Sequence, residues 1–157
     1  NLTDAEIQSL SGGFKEVGGG TKSAPKTLSV TLPTGEVRQG GTASWRNNNP
    51  GNIKFNDFAQ QFGAVRGSAA TDGGYFAAFP NEEAGKRAQR ELLRNPNYTG
   101  LSLESAMRRW SGNGYGAEVA PPDLRSKTLA QMNNAEIDRL AEAMRKREGW
   151  KEGKIFA

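Results

Sequence analysis

Hydrophobic positions change their period several times along this chain, and each change marks an element. Near the start, Ile7, Leu10 and Phe14 recur at helical spacing behind Thr3, a good capping residue, which predicts a short helix to about Glu16. Gly12-Gly13 weaken it and Gly18-Gly19-Gly20 end it. Thr21 to Lys26 then reads as a flexible connector, so residues 1–26 are expected to form a short helix and linker, with one main domain over 27–157. From Leu28 the period becomes two: Leu28, Val30 and Leu32 alternate with polar residues up to Pro33-Thr34-Gly35, and Val37 resumes the pattern, as in a small hairpin. Ile53-Lys54-Phe55 and Tyr75-Phe76-Ala77-Ala78-Phe79 suggest further short strands, with a helical turn at Asp57 to Phe62.

Beyond Pro80 the pattern is helical. Asn81 is placed to cap a helix whose Ala84, Ala88 and Leu92 face inward and which ends near Asn95-Pro96-Asn97. Leu103 to Trp110 predicts another helix, followed by a glycine-rich loop and a piece around Asp123 to Met132. The last helix begins at Asn133 or Asn134, buries Ile137, Leu140 and Met144, and stops at Gly149. The order of elements predicts an α+β fold that is mainly α.

Composition narrows the chemistry more than the fold. The chain of 157 residues has no histidine and no cysteine. Cysteine peptidases, Ser-His-Asp hydrolases and His-ligated zinc amidases are thereby excluded, and acid–base work near neutrality falls to carboxylates, with Lys or Tyr as less usual options. No metal or organic cofactor is implied. A chain without cysteine needs no particular redox compartment, which suits passage across an envelope. The net charge of +4, from 21 basic and 17 acidic residues, favours polyanions such as nucleic acid, anionic lipid or bacterial wall, although ordinary solubility explains it equally well. No apolar run approaches a membrane span, and no signal peptide opens the sequence. Because it begins at Asn1, it is expected to be a domain of a larger protein.

One stretch fits neither helix nor strand. Arg46-Asn47-Asn48-Asn49-Pro50-Gly51-Asn52-Ile53 packs amides, a proline and a glycine together. Asn bonds to local backbone and tolerates left-handed geometry, so a tight turn is one reading. Planar donors and acceptors beside Trp45 also suit sugar hydroxyls and acetamido groups, so a ligand loop is the other.

The segment Ser44 to Ile53, with Thr71-Asp72-Gly73-Gly74-Tyr75-Phe76-Ala77-Ala78-Phe79-Pro80 and Glu83-Ala84-Gly85-Lys86-Arg87-Ala88, resembles a family of lysozyme-like cell-wall lytic domains. Members occur as structural lysins of phage particles and as effectors injected by type VI-like, contact-dependent secretion systems. The likeness runs from about Leu28 to Trp150. It departs from the family after the middle helices, where relatives often carry a Tyr-Ala-Pro-Pro-type run with an acidic residue and this chain has Trp110-Ser111-Gly112-Asn113-Gly114-Tyr115-Gly116.

The resemblance implies a lysozyme-like helical domain with a small β-lobe, cutting the glycan strand of peptidoglycan as a muramidase. Either hydrolysis or the transglycosylase reaction that leaves an anhydro-sugar fits it. It also implies a monomer that is secreted or delivered to the target-cell periplasm, with the wall as partner, an immunity protein as a further candidate partner, and no nucleic-acid binding or membrane insertion. A general acid of this kind needs a site that lifts its pKa. Glu148 lies in a last helical turn, where its charge opposes the helix dipole, with Met144 and Trp150 as apolar walls; a plain helix end with an exposed Glu is the alternative. Glu148-Gly149-Trp150-Lys151 resembles the catalytic helix end of lysozyme-like wall hydrolases, and the Asn-rich segment resembles their β-region entry. The two occur in reversed order, as in a circularly permuted fold.

Asp72 sits on a turn and matches a recurrent acidic position of the family, so it is expected to stabilise positive charge at the sugar or to position water. Glu83, where helix capping is the competing role, Glu36, and Glu16, which shares the helix-end position of Glu148 but lies outside the resemblance, are the reserve acids. Trp45, Arg46, Asn47, Asn48, Asn49 and Tyr75 are expected to line the saccharide cleft, with Trp110 and Tyr115 at its rim. A non-catalytic wall-binding module and a nucleic-acid-binding domain, the latter suggested by Arg108-Arg109-Trp110 and Arg145-Lys146-Arg147, are the rival readings.

Overall fold

A computed structural model describes residues 28–156. The helix and linker expected within 1–26 lie outside the described residues. Strands β1 (Ser29–Thr31) and β2 (Val37–Gln39) form the expected antiparallel hairpin, with Ser29 opposite Gln39. Strand β5 (Lys154–Phe156), which sequence periodicity did not reveal, pairs antiparallel with the other edge of β2. Its three residues are exposed, so no alternation of apolar and polar positions marks it.

The Asn-rich segment opens with a one-turn helix, α1 (Ala43–Arg46). A second short helix, α2 (Asp57–Gln60), is capped by the Asn56 side chain, which accepts from the Ala59 amide at 3.1 Å. Strands β3 (Val65–Ala69) and β4 (Tyr75–Ala78) form a separate two-stranded antiparallel sheet whose register shifts between Arg66 and Ala69. The strand expected at Ile53 to Phe55 is reduced to an isolated bridge, Lys54 to Phe76, flanked by backbone hydrogen bonds from Ala77 to Ile53 and from Phe55 to Tyr75.

Helix α3 (Glu82–Leu93) starts where Asn81 predicts, its side chain accepting from the Ala84 amide at 2.8 Å, and buries Ala84, Ala88, Leu92 and Leu93. A one-turn helix, α4 (Pro96–Thr99), follows where only a helix end was expected; Asn95 caps it, and Pro96 sits in the first turn, where its missing N–H costs nothing. Helix α5 (Leu103–Ser111) ends at Gly112, whose φ of 58° is the left-handed stop that glycine supplies cheaply. Single 3₁₀ turns at 117–119, 122–124 and 129–131 lead to α6 (Asn134–Glu148). Asn133 and Glu136 close a reciprocal capping box at its start.

Helices α3, α5 and α6, with Ala77 of β4, enclose the main core, which includes Ile53, Phe79, Leu92, Tyr98, Trp110, Leu129, Leu140 and Met144, while Ala78 packs with Val30 and Leu32 in a second, small cluster. Each large apolar side chain so buried contributes roughly 1.5–3 kcal/mol. The fold is α+β with more helix than sheet, its sheets small and antiparallel.

Candidate active site

Residues Ile137, Leu140, Ala141, Met144 and Glu148 make the buried stripe of α6. Their spacing of three and four residues is the helical repeat, so the periodicity that buries Met144 also carries Glu148 into the interior at the next turn. Glu148 is 4% exposed. The helix stops immediately after it at Gly149, whose φ of 102° turns the chain away. The Gly149 carbonyl then accepts hydrogen bonds from the Thr42 hydroxyl at 3.3 Å and from the Ser44 hydroxyl. Thr42 and Lys151 are joined twice, by Thr42 N–H to the Lys151 carbonyl at 2.9 Å and Lys151 N–H to the Thr42 hydroxyl at 3.0 Å. The end of α6 is thereby stitched to the start of α1.

Two donors meet the carboxyl group. Asn52 Nδ2 donates to Glu148 Oε1 at 3.1 Å, and the Tyr115 hydroxyl donates to Oε2 at 2.8 Å. Burial pushes the Glu148 carboxyl up to about 7 even though Tyr115, Asn52 and the Arg147 charge all favour the ionised form. Tyr115 is itself buried, and burial together with the Glu148 charge holds its phenol well above the usual tyrosine value, so it remains a donor. Its loop is fixed by Ser111 Oγ, which donates to the Tyr115 carbonyl and accepts from its amide, both at 2.9 Å. Arg147, next to Glu148 in sequence, donates to the Gly114 carbonyl at 3.2 Å and lies 5.5 Å from the Tyr115 ring centroid. Sequence reasoning placed Tyr115 at the rim of a cleft; it sits instead inside the Glu148 cluster.

The Asn-rich segment is corrected more sharply. Trp45, Arg46, Asn47, Asn48, Asn49 and Trp110 are at most 2% exposed and form no saccharide-lining surface. Most of their polar atoms are spent on the fold, Asn48 Oδ1 being buried without a hydrogen-bond partner. Arg46 Nη1 donates to the Gly40 and Gly41 carbonyls; Asn47 Nδ2 donates to the Ala43 carbonyl and the Ser68 hydroxyl, while its Oδ1 accepts from the Ser68 amide. Asn48 Nδ2 reaches the Phe79 carbonyl at 3.4 Å. Asn49 Nδ2 donates to the Ile53 and Ala77 carbonyls, and its Oδ1 accepts from the Ile53 amide. Trp110 Nε1 donates to the Gly51 carbonyl at 3.2 Å.

The physical reason is that an amide matches a backbone peptide as well as it matches an acetamido group, and this segment lacks a regular ladder to satisfy its neighbours. Asn48 and Asn52 adopt φ values of 49° and 50°, the left-handed conformation that Asn tolerates. Gly67 and Gly85 let the neighbouring strand and helix approach so closely that a Cβ on either would collide with Asn47 Oδ1 or the Asn48 carbonyl. Those two glycines were the overlooked signal.

Tyr75 is 41% exposed on β4, with the Arg66 guanidinium 5.3 Å from its ring centroid, and it is the expected cleft aromatic that does offer a surface. Asp72 lies on the exposed β3–β4 turn, where both carboxylate oxygens accept from Lys54 Nζ at 2.5 and 2.6 Å and Oδ1 also accepts from the Gly74 amide. Partial burial raises its pKa, but the Lys54 hydrogen bond and charge with the Gly74 amide outweigh this and hold the carboxyl below the ordinary aspartate value. Lys54 is buried, in the extended segment that begins at Asn52, so one stretch of chain touches both Glu148 and Asp72. Neither Asn52 nor Lys54 was singled out from sequence.

Glu83 is exposed in the first turn of α3, and Glu36 accepts from Arg38 Nε at 3.0 Å in the hairpin; neither joins the cluster. The basic clusters are engaged within the chain. Arg108 pairs with Glu104, Arg109 donates to the Asn97 carbonyl and Arg145 pairs with Glu142. A groove of about 630 Å³ between α3 and α6 is lined by Arg87, Arg90, Arg94 and Asp138 among others and shares no residue with the Glu148 cluster. Among the described residues, no helix is long and apolar enough to cross a membrane, and no group of three His, Cys, Asp or Glu side chains is placed to hold a metal ion. No protein-family model, curated protein or solved structure matches the chain.

Proposed function

We propose that this domain is a peptidoglycan glycosidase of lysozyme type, with Glu148 as its general acid. The observation that carries the reading is a carboxyl buried at a helix end between the Asn52 and Tyr115 donors; burial pushes it up to about 7, close to the value at which an acid is both protonated and able to transfer its proton near neutral pH. Glu148 protonates the glycosidic oxygen. At 4% exposure it is shielded from bulk water, and the glycosidic oxygen reaches it by displacing one of its two hydrogen-bond partners. Asp72, ionised, supplies negative potential toward the positive charge that develops on the sugar ring. Tyr75 offers the ring face on which a pyranose stacks.

The likeness to lysozyme-like wall hydrolases supports the same reading. The α6 end and the Asn48 to Lys54 segment meet through the Asn52–Glu148 bond, and their order along the chain is the reverse of that in the lysozyme-like hydrolases they resemble, which is consistent with a circular permutation. Asp72 shares both oxygens with Lys54, which favours, as a second reading, the transglycosylase reaction in which the sugar's own 6-hydroxyl replaces water. Delivery to a target-cell periplasm and an immunity protein as partner go with either reaction.

Mass spectrometry of purified peptidoglycan treated with wild type and Glu148→Gln tests the proposal. Soluble muropeptides with reducing ends indicate hydrolysis, and anhydro ends indicate transglycosylation. Binding to the wall with no released sugar would leave a wall-binding module and end the enzymatic reading.

A further inference from the structure

Asn52 is 3% exposed, and only one side of its amide is used: Nδ2 donates to Glu148 Oε1, while Oδ1 is buried without a hydrogen-bond partner. A buried acceptor left unpaired is costly and unusual in a native structure. Both donors at Glu148, Asn52 Nδ2 and Tyr115 Oη, suit a carboxylate. Once Glu148 carries a proton, one of its oxygens becomes a donor and faces a group that is also donating. Tyr115 is a poor acceptor for it, since among the described residues its own hydrogen has no partner but Glu148. The Asn52 amide holds its unused acceptor on the same planar group.

We propose that Asn52 is a two-way positioning residue for Glu148: its amide donates through Nδ2 to the ionised carboxylate and turns over to accept through Oδ1 from the protonated acid. The turnover exchanges one unpaired amide group for the other, so the count of unpaired groups is the same in both states and the Glu148 proton decides between them. Tyr115 stays fixed as the donor to Oε2, which leaves Oε1 as the atom that carries the transferable proton. The other polar groups near the end of α6 are engaged elsewhere. Arg147 on α6 is directed to Gly114 and the Tyr115 ring, and Thr42 and Ser44 are directed to the Gly149 carbonyl. In the glycosidase reading, on which this last step rests, the glycosidic oxygen takes the place of Asn52 Oδ1. The Oε1–H bond breaks as the new O–H bond forms on the leaving group, and the amide returns to donating toward the carboxylate.

The test reads the Glu148 carboxyl directly, by ¹³C NMR titration of the full chain, with the resonance assigned by its absence in Glu148→Gln. Tyr115→Phe removes a one-way donor, so the titration midpoint is expected to rise by about one pH unit. Asn52→Gly keeps the left-handed backbone accessible and removes the amide from both protonation states, so the midpoint is expected to stay within about 0.3 unit of wild type. A rise as large as that of Tyr115→Phe would show a fixed donor, and an equal fall would show a fixed acceptor; either overturns the proposal. Should Asn52→Gly fail to fold, wild type decides alone. The nuclear Overhauser contacts of the Asn52 Nδ2 hydrogens change partner across the titration if the amide turns over, and an unchanged pattern overturns it. These signals are independent of wall cleavage, so a domain that releases no sugar but shows the turnover refutes the glycosidase reading and leaves this inference standing.

Discussion

Asn49 and Asn52 lie three residues apart in one buried segment, and their amides have opposite fates. Asn49 uses both its nitrogen and its oxygen, bridging the Ile53 and Ala77 carbonyls and the Ile53 amide, so it behaves as a piece of backbone supplied by a side chain. Asn52 spends half of its amide on a buried carboxyl whose proton is nearly balanced and leaves the other half unpaired. A saturated buried amide specifies structure, whereas an unsaturated one beside a buried carboxyl is the element that the proposed chemistry uses. Residue type does not separate the two; the state of the partners does.

The largest expected difference between the two halves is catalytic. Glu148→Gln keeps size and most hydrogen bonding but loses the transferable proton, so glycan cleavage should fall by roughly 10²–10⁴-fold with the fold intact by circular dichroism. Near-normal turnover in that variant would move the acid elsewhere. Asn49→Ala should do the reverse. It strands the Ile53 amide and the Ala77 carbonyl, at roughly 1–3 kcal/mol each, and weakens the Ile53 carbonyl, so urea unfolding should show a loss of about 3 kcal/mol. Whatever fraction remains folded should keep its specific activity. A stable but inactive Asn49→Ala would restore the segment as a ligand loop.

A comparable effect should appear in the pH dependence of stability. The folded Glu148 value of about 7 is above the ordinary 4.5, so below the latter both folded and unfolded chains hold the proton and the contribution is fully present. As pH rises, the unfolded chain releases its proton first, and the contribution is lost by the time pH passes the folded value. This amounts to about 3 kcal/mol. Unfolding measured at about pH 4 and about pH 8 should show wild type losing that much more than Glu148→Gln. Parallel curves for the two proteins would mean that burial does not lift the acid. The smallest effect belongs to residues outside both clusters. Glu83→Gln and Glu36→Gln should change stability by no more than about 0.5 kcal/mol and leave cleavage unchanged, and a strong loss in either would break the comparison from outside.

What was legible in the sequence was local. The α6 boundaries, its Asn133 cap and its Gly149 stop follow from residues within a turn of each other, and they place Glu148 at the helix end. The α3 cap and the β1–β2 turn were readable for the same reason. What was hidden depends on distant partners. Strand β3 carries Gly67 because Asn47 presses against it, and that glycine erases the alternation that would have revealed the strand. Trp45 and Trp110 look like sugar platforms until the fold buries them, and Asn52 gains its role only from a carboxyl 96 residues away.

That separation has a consequence for how the protein comes into being. The bonds that join Asn52 to Glu148, Thr42 to Gly149 and Lys151 to Thr42 span 96, 107 and 109 residues. Loops of that length close late, after the local helices and hairpins have formed. A ribosome synthesising this chain exposes the complete Asn-rich segment long before residue 148 exists, so a truncated nascent chain carries the scaffold without its acid. The cluster is assembled only once residues 148–151 have joined the segment made some hundred residues earlier.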